Sequence, residues 1–411
     1  MLAQLESRFP SRQPWYLPSR SWRASSSSFV QAKPDLDGVR FAGAPADRRQ
    51  IREVLIRESF EHSANVPSAM SIRTPLCDLL GIDVPILSVG FASSATPELA
   101  AAVSNAGGLG VLGLGLPLDV LHVRVARTRE LTSRPFGGNF ILAAFADPDT
   151  PEKYREARRR QIATAIEERV GVLVLFWGDP SPFVEPAHRA GLKVLVQVGS
   201  VEESIGAIEA GVDGVILQGV EAGGHVKATR SIWETLPSAV AAARGVPIIA
   251  SGGIGDGRAI ARAIKLGAQG VSLGTRFVAS EEAWIHPHYK RRIVDASADD
   301  TVFSPDLFNV GWDNAPHRAL KNRTFQMWDA AGRPPVGKRP GEGEIVGTFH
   351  LPWGDQSSER YESAMLIPAF DGDPEDVAMW AGLSVEAVND VKPAGEIVRD
   401  LVRETEEALA S

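Results

Sequence analysis

Eight short apolar segments, each bounded by glycine or proline and separated by stretches of helical period, constrain this chain more than any other feature. They lie at 85–89, 110–115, 138–143, 172–176, 193–198, 214–218, 246–250 and 270–273. Between most of them apolar residues recur every three to four positions, as at 97–105, 118–131, 201–210, 237–243 and 257–266. Nearly continuous apolar strands joined by helices imply a parallel sheet covered on both faces. Eight such units over about 200 residues fit a closed (β/α)8 TIM barrel better than an open sheet. A doubly wound sheet is the runner-up, but no Gly-x-Gly-x-x-Gly turn with a following acid appears after a strand.

The flanks of this pattern read differently. Residues 1–69 hold Pro10, Pro14, Pro18, the run Ser25–Ser28 and scattered arginines, with one short helical stretch at 48–60. They are expected to be a disordered extension, or to precede a natural start at Met70. Residues 70–411 are expected to form one catalytic domain. From about 278 its sequence becomes irregular and rich in Trp, His and Pro, with two further helices at 374–385 and 393–409. The second aligns Ile397, Leu401, Thr405 and Leu409 on one stripe, which predicts a C-terminal helical elaboration packed on the barrel.

Charge and composition exclude several function classes. The net charge of −8 disfavours nucleic acid and anionic membrane surfaces as main partners. No apolar run approaches the roughly 20 residues that span a bilayer, and the N-terminus lacks the apolar segment of a secretory signal. Cys77 is the only cysteine, in apolar company with Leu76, Leu79 and Leu80, so an inert thiol in a reducing cytoplasm is expected.

Barrel enzymes carry their chemistry on the loops after the strands. After the seventh segment the chain reads Ser251-Gly252-Gly253-Ile254-Gly255-Asp256-Gly257, and the eighth ends in Ser272-Leu273-Gly274-Thr275-Arg276. Glycines there turn backbone N–H groups towards an anion, with a helix N-terminus behind them, so the two loops predict a phosphate site. After the sixth segment stands Gln218-Gly219-Val220-Glu221-Ala222-Gly223-Gly224-His225. A histidine beside two glycines on this face can be approached closely, and its near-neutral pKa suits proton abstraction. Glu221 reads as a solvated loop acid or a helper to that histidine.

These motifs together resemble the nitronate monooxygenase family, formerly the 2-nitropropane dioxygenases, from roughly Thr74 to the C-terminus. The resemblance rests on Gly81-Ile82-Asp83-Val84-Pro85-Ile86, the run Leu99 to Gly108, Phe136-Gly137-Gly138-Asn139, Gln218 to His225, Ser251 to Asp256 and Gly274-Thr275-Arg276-Phe277. His286-Pro287-x-Tyr289-Lys290 and Pro316-x-Arg318 extend it. It implies an FMN-dependent barrel oxidoreductase, with FMN held by Asn139, Gln218, Gly223, Gly253 and Ser272, Leu273, Gly274 and Thr275. It also implies His225 as the catalytic base, and it places His286 and His288 in a structural segment, with no metal site. The implied reaction takes an alkyl nitronate, or a nitroalkane after loss of its α-proton, and O2 to a carbonyl compound and nitrite. Two departures line the substrate side: Val89-Gly90-Phe91 stands where relatives carry Pro-Met, and Val226-Lys227 follows the histidine where they often carry glycine. Two other readings stay open at this point. One is an FMN-dependent NAD(P)H oxidoreductase of the enoyl-thioester reductase type, and the other is a flavin-binding protein without turnover.

Overall fold

The computed structural model describes residues 72–411; the expected extension 1–69, its helix at 48–60 and the start at Met70 lie outside the described residues. The strands are β1 (Ile86–Ser88), β2 (Gly110–Gly113), β3 (Phe136–Ile141), β4 (Val172–Phe176), β5 (Lys193–Val198), β6 (Gly214–Gln218), a two-residue β7 (Gly224–His225), β8 (Ile248–Ser251) and β9 (Gly270–Leu273). All but β7 form one parallel sheet in the order β1-β9-β8-β6-β5-β4-β3-β2. A parallel bridge between Leu87 and Leu109 joins its two ends, and the Ser88 amide donates to the Leu109 carbonyl at 3.0 Å. The sheet is therefore closed, as the eight apolar segments require.

Alternation within the strands separates two cores. Leu87, Leu109, Val111, Val172, Val174, Leu195, Ile216 and Ile249 form one cluster inside the barrel. Leu76, Cys77 and Leu80 of the helix Pro75–Leu80 join that cluster and plug the N-terminal end of the barrel, so Cys77 is fully buried. The remaining strand positions face the helices in a second, larger cluster that includes Leu112, Phe140, Leu173, Val215 and Val271. Side-chain oxygens of Thr96, Ser200, Ser231 and Asp256 cap the helices that follow them, satisfying N–H groups that a helix start leaves free.

The post-barrel segment is mixed rather than purely helical. It contributes β10 (Thr301–Ser304) and β11 (His317–Leu320), which pair with β7 in a sheet of order β10-β11-β7. It also contributes β12 (Ile345–Leu351), β13 (Gly354–Glu359) and β14 (Phe370–Gly372), which form a second small antiparallel sheet. The helix expected at 374–385 is replaced by two short 3-10 turns, Pro374–Asp376 and Leu383–Ala387, separated by extended backbone. Asp376 explains part of this difference. Its carboxylate takes hydrogen bonds from Arg323 and Arg360, anchoring the segment to neighbouring chain instead of letting it coil on itself. The final helix does form, over Ala394–Ala410, and buries Ile397, Val398, Leu401 and Thr405. It approaches the helix Gly257–Lys265 so closely that a Cβ on Gly257 would lie 2.4 Å from the Thr405 amide nitrogen.

Candidate active site

The barrel closure brings the expected residues to the C-terminal ends of the strands. Gln218 ends β6, and its side chain is used in both directions. Nε2 donates to the His225 carbonyl at 3.0 Å and Oε1 accepts from the Lys227 amide at 2.9 Å. Gln218 thus braces the histidine loop, while one N–H and one lone pair remain for a ligand. His225 is not on a free loop. It belongs to β7, where it pairs with His317 of β11, so the post-barrel segment fixes its backbone.

His225 is half-buried within a group of aromatic rings. The Trp312 ring lies 3.9 Å from it at 31°, Trp380 at 5.2 Å, His317 at 5.9 Å and Trp177 at 6.3 Å. The Ser363 hydroxyl lies 3.1 Å from Nε2. Burial among these rings, and secondarily His317, pushes the imidazole well below the ordinary histidine value. The residue as a whole keeps some exposure, so dense apolar packing around the ring sets this direction. His225 is therefore neutral at pH 7. With Nε2–H donating to the Ser363 hydroxyl, Nδ1 carries the lone pair that can accept a proton. Neighbouring His317 is fully buried and also neutral, with burial lowering its pKa to about 4. Its Nε2 accepts from the Phe308 amide at 2.9 Å, and Nδ1 faces the Ala315 carbonyl at 3.0 Å, which fixes the proton on Nδ1.

The two glycine loops lie side by side because β8 pairs with β9, with Ser251 opposite Ser272. The Ser251 hydroxyl donates to the Ser272 carbonyl at 3.1 Å, tying the strand ends together. Gly252 and Gly253 adopt φ of +97° and +69°, values that favour glycine. The N–H groups of Gly253, Gly274 and Thr275 make no hydrogen bond within the described residues. A Cβ on Gly274 would meet only Val89, at 3.8 Å. Unused N–H groups from two adjacent loops, one at a helix start and beside open space, fit a terminal phosphate. Leu273 and Ser272 are buried in β9 beneath them. Asn139 sits in β3, with Nδ2 donating to the Val174 carbonyl at 3.1 Å. Gly223 is required for a different reason: a Cβ there would lie 2.4 Å from the Gly382 nitrogen. The Gly382 amide in turn donates to Thr275 Oγ1 at 3.0 Å, so the segment following Trp380 closes on the site from outside.

One expectation is corrected. Glu221 is neither solvated nor beside His225 as a helper. Its carboxylate is buried, accepting from the Ser231 hydroxyl and, at 3.1 Å, from the Ile232 amide at the start of the helix Ile232–Ala242. His286 and His288 also have structural partners: His286 Nδ1 accepts from the His288 amide at 3.1 Å, and His288 Nε2 lies 2.5 Å from Glu375. Sequence reasoning missed Trp177, Trp312, Trp380, Ser363 and His317. The enrichment of the post-barrel segment in Trp and His was the available signal, but no local spacing ties those residues to His225.

A family profile described as nitronate monooxygenase matches residues 73–404. The chain belongs to the nitronate monooxygenase family. As a member of that family it is a flavin-dependent oxidoreductase on a TIM-barrel fold. Among curated relatives, a nitronate monooxygenase of Paraburkholderia phytofirmans is 30% identical over 380 residues, covering 82% of this chain and 96% of the relative. A (3aS,4S,5R,7aS)-5-hydroxy-7a-methyl-1-oxo-octahydro-1H-indene-4-carboxyl-CoA dehydrogenase of Mycobacterium tuberculosis is 32% identical over 267 residues, covering 64% of this chain and 70% of the relative. Among solved structures, FabK from Thermotoga maritima superposes with a TM-score of 0.66 at 32% identity, over 82% of this chain and 97% of that one. The family profile thus spans both the barrel and the post-barrel segment.

Proposed function

We propose that the protein is an FMN-dependent nitronate monooxygenase that converts alkyl nitronates and O2 to carbonyl compounds and nitrite, with His225 as its base. The observation that carries the reading is a neutral, aromatic-packed imidazole with one free nitrogen, on the same barrel face as a phosphate-sized set of unused N–H groups. Gly253, Gly274 and Thr275 would hold the FMN phosphate through their backbone, and Asn139, Gln218, Gly223, Ser272 and Leu273 would line the rest of the cofactor site. When bound, FMN would supply the redox chemistry that links nitronate oxidation to the reduction of dioxygen. The part of His225 is to take the α-proton of a neutral nitroalkane on Nδ1. Ser363 and Gln218 hold the ring and its backbone in place, and the surrounding indoles exclude water. A nitronate already lacks that proton and needs only binding. The unit that performs this chemistry is residues 70–411, with the elaboration from about 278 completing the site.

A small-molecule substrate and dioxygen are the only partners this reading requires. Among the described residues no helix is long and apolar enough to cross a membrane, and Cys77 is a free, buried thiol, consistent with the cytoplasm. A second reading, an FMN-dependent NAD(P)H oxidoreductase acting on an enoyl thioester, draws support from the identity to the mycobacterial carboxyl-CoA dehydrogenase.

Electron balance sets the test. Each nitronate that becomes a carbonyl compound and nitrite gives up two electrons, and dioxygen takes four, so two nitrites form per dioxygen and no peroxide accumulates. Oxygen uptake and nitrite release on a nitronate panel, with chromatography of the heat-released flavin, should show that ratio and FMN. One nitrite per dioxygen with equimolar peroxide indicates a simple oxidase. No nitrite from any nitronate, or FAD in place of FMN, contradicts the proposal.

A further inference from the structure

Two indoles from distant parts of the chain meet over His225. Trp177 follows β4 at the mouth of the barrel, with φ of +64°. A left-handed backbone is unfavourable for a non-glycine residue and persists only where surrounding structure fixes it. Trp312 arrives from the post-barrel loop between β10 and β11. Its ring lies 5.3 Å from that of Trp177 at 67°, and it covers His225 at 3.9 Å.

The foot of the Trp312 loop is firmly held. The Trp312 amide donates to the Asn309 carbonyl at 3.0 Å, and Asn309 Oδ1 accepts from Arg339 Nη1 at 2.8 Å. The same guanidinium donates to the Asp306 carbonyl at 2.6 Å, pairs with Glu342 at 2.5 Å and lies 4.3 Å over the Tyr361 ring. Trp380, the third indole of the group, is buried, whereas Trp177 and Trp312 keep part of their surface open. Among the described residues no cation lies against the face of either open ring. Lys227, close in sequence to His225, is paired with Glu203 at 2.6 Å.

We infer that Trp312, with Trp177, forms the substrate-selecting wall of the His225 site, favouring nitro compounds that carry a flat, ring-bearing apolar group over compact aliphatic ones. This deepens the nitronate reading and rests on it for the nitro group. The physical basis is contact area: a flat ring stacks on or meets the edge of an indole over its whole face, while a compact aliphatic group touches it at a few atoms. Removing one such ring typically weakens binding by about tenfold.

The test uses two probes without an α-proton, nitrobenzene and 2-methyl-2-nitropropane, so that neither can be deprotonated by the enzyme. Calorimetric titration of the flavin-loaded full chain should give tighter binding of nitrobenzene. Trp312→Ala should weaken nitrobenzene binding about tenfold and the aliphatic probe less than about threefold. Trp312→Phe, which keeps a ring, should restore most of the difference, and retained flavin absorbance in both variants checks their folding. Equal weakening of both probes, no weakening, or no preference in the parent protein overturns the inference. Failure of the nitronate reading appears separately, as absence of nitrite from every nitronate, and leaves this binding comparison intact.

Discussion

In the proposed role His225 acts as a base only while its imidazole is neutral, and its packing against Trp312 and Trp380 keeps it so well below pH 6.5. Turnover of a neutral nitroalkane should therefore show no loss of kcat/KM as pH falls through 6.5; a loss centred there would place an ordinary, solvated histidine in the role. His225→Asn should lower nitroalkane turnover by about 10²- to 10⁴-fold while sparing preformed nitronate to within about tenfold. Equal damage to both substrates would indicate a packing role. His317 makes a separate prediction, about stability. Its folded pKa of about 4 lies below the unfolded value near 6.5, because burial penalises the charged ring. Above 6.5 both states are neutral and nothing is lost. As pH falls from 6.5 towards 4 the unfolded chain gains a proton that the folded one refuses, so stability drops by roughly 3 kcal/mol. Denaturant midpoints at pH 7 and pH 4.5 for the parent and His317→Gln should show a larger drop in the parent. The same drop in both would remove His317 as the cause.

At the scale of elements, the final helix is the part of the elaboration most tightly seated on the barrel. Gly257 starts the helix Gly257–Lys265, and its amide donates to Glu404 at 3.0 Å. A methyl group there would meet backbone and Cβ atoms of Glu404 and Thr405 at 2.3 to 2.5 Å. Gly257→Ala should thus force the two helices apart and lower stability by about 1–3 kcal/mol, despite alanine's better helix propensity. An unchanged or higher melting temperature would show that this contact yields freely. The elements themselves were legible to different degrees. The strands at 172–176, 193–198, 214–218 and 270–273 coincide with β4, β5, β6 and β9, because burial on both faces leaves a mostly apolar run, continuous in β4. Period alone starts a helix at Pro237, whereas the observed helix starts at Ile232, capped by Ser231, and carries Pro237 within it. The strands after residue 278 have no such signature. Four of β12's seven residues are neither buried nor fully exposed, so its sequence lacks the alternation that a half-buried strand shows.

For the molecule as a whole, the barrel supplies positions and the post-barrel segment completes them. His225 and the glycine loops are each contained in one short motif, so they could be read directly from the sequence. Trp177, Trp312, Ser363 and Trp380 converge on His225 from four separate segments, and only the closed fold relates them. The nitronate reading and the pyridine-nucleotide reading differ in which donor reduces the flavin. Anaerobic rapid mixing separates the two most directly. The flavin absorbance should bleach on mixing with an alkyl nitronate, at a rate no slower than steady-state turnover, and remain unchanged over the same interval with NADPH or NADH. Rapid bleaching by either pyridine nucleotide, with none by any nitronate, would contradict the nitronate monooxygenase assignment.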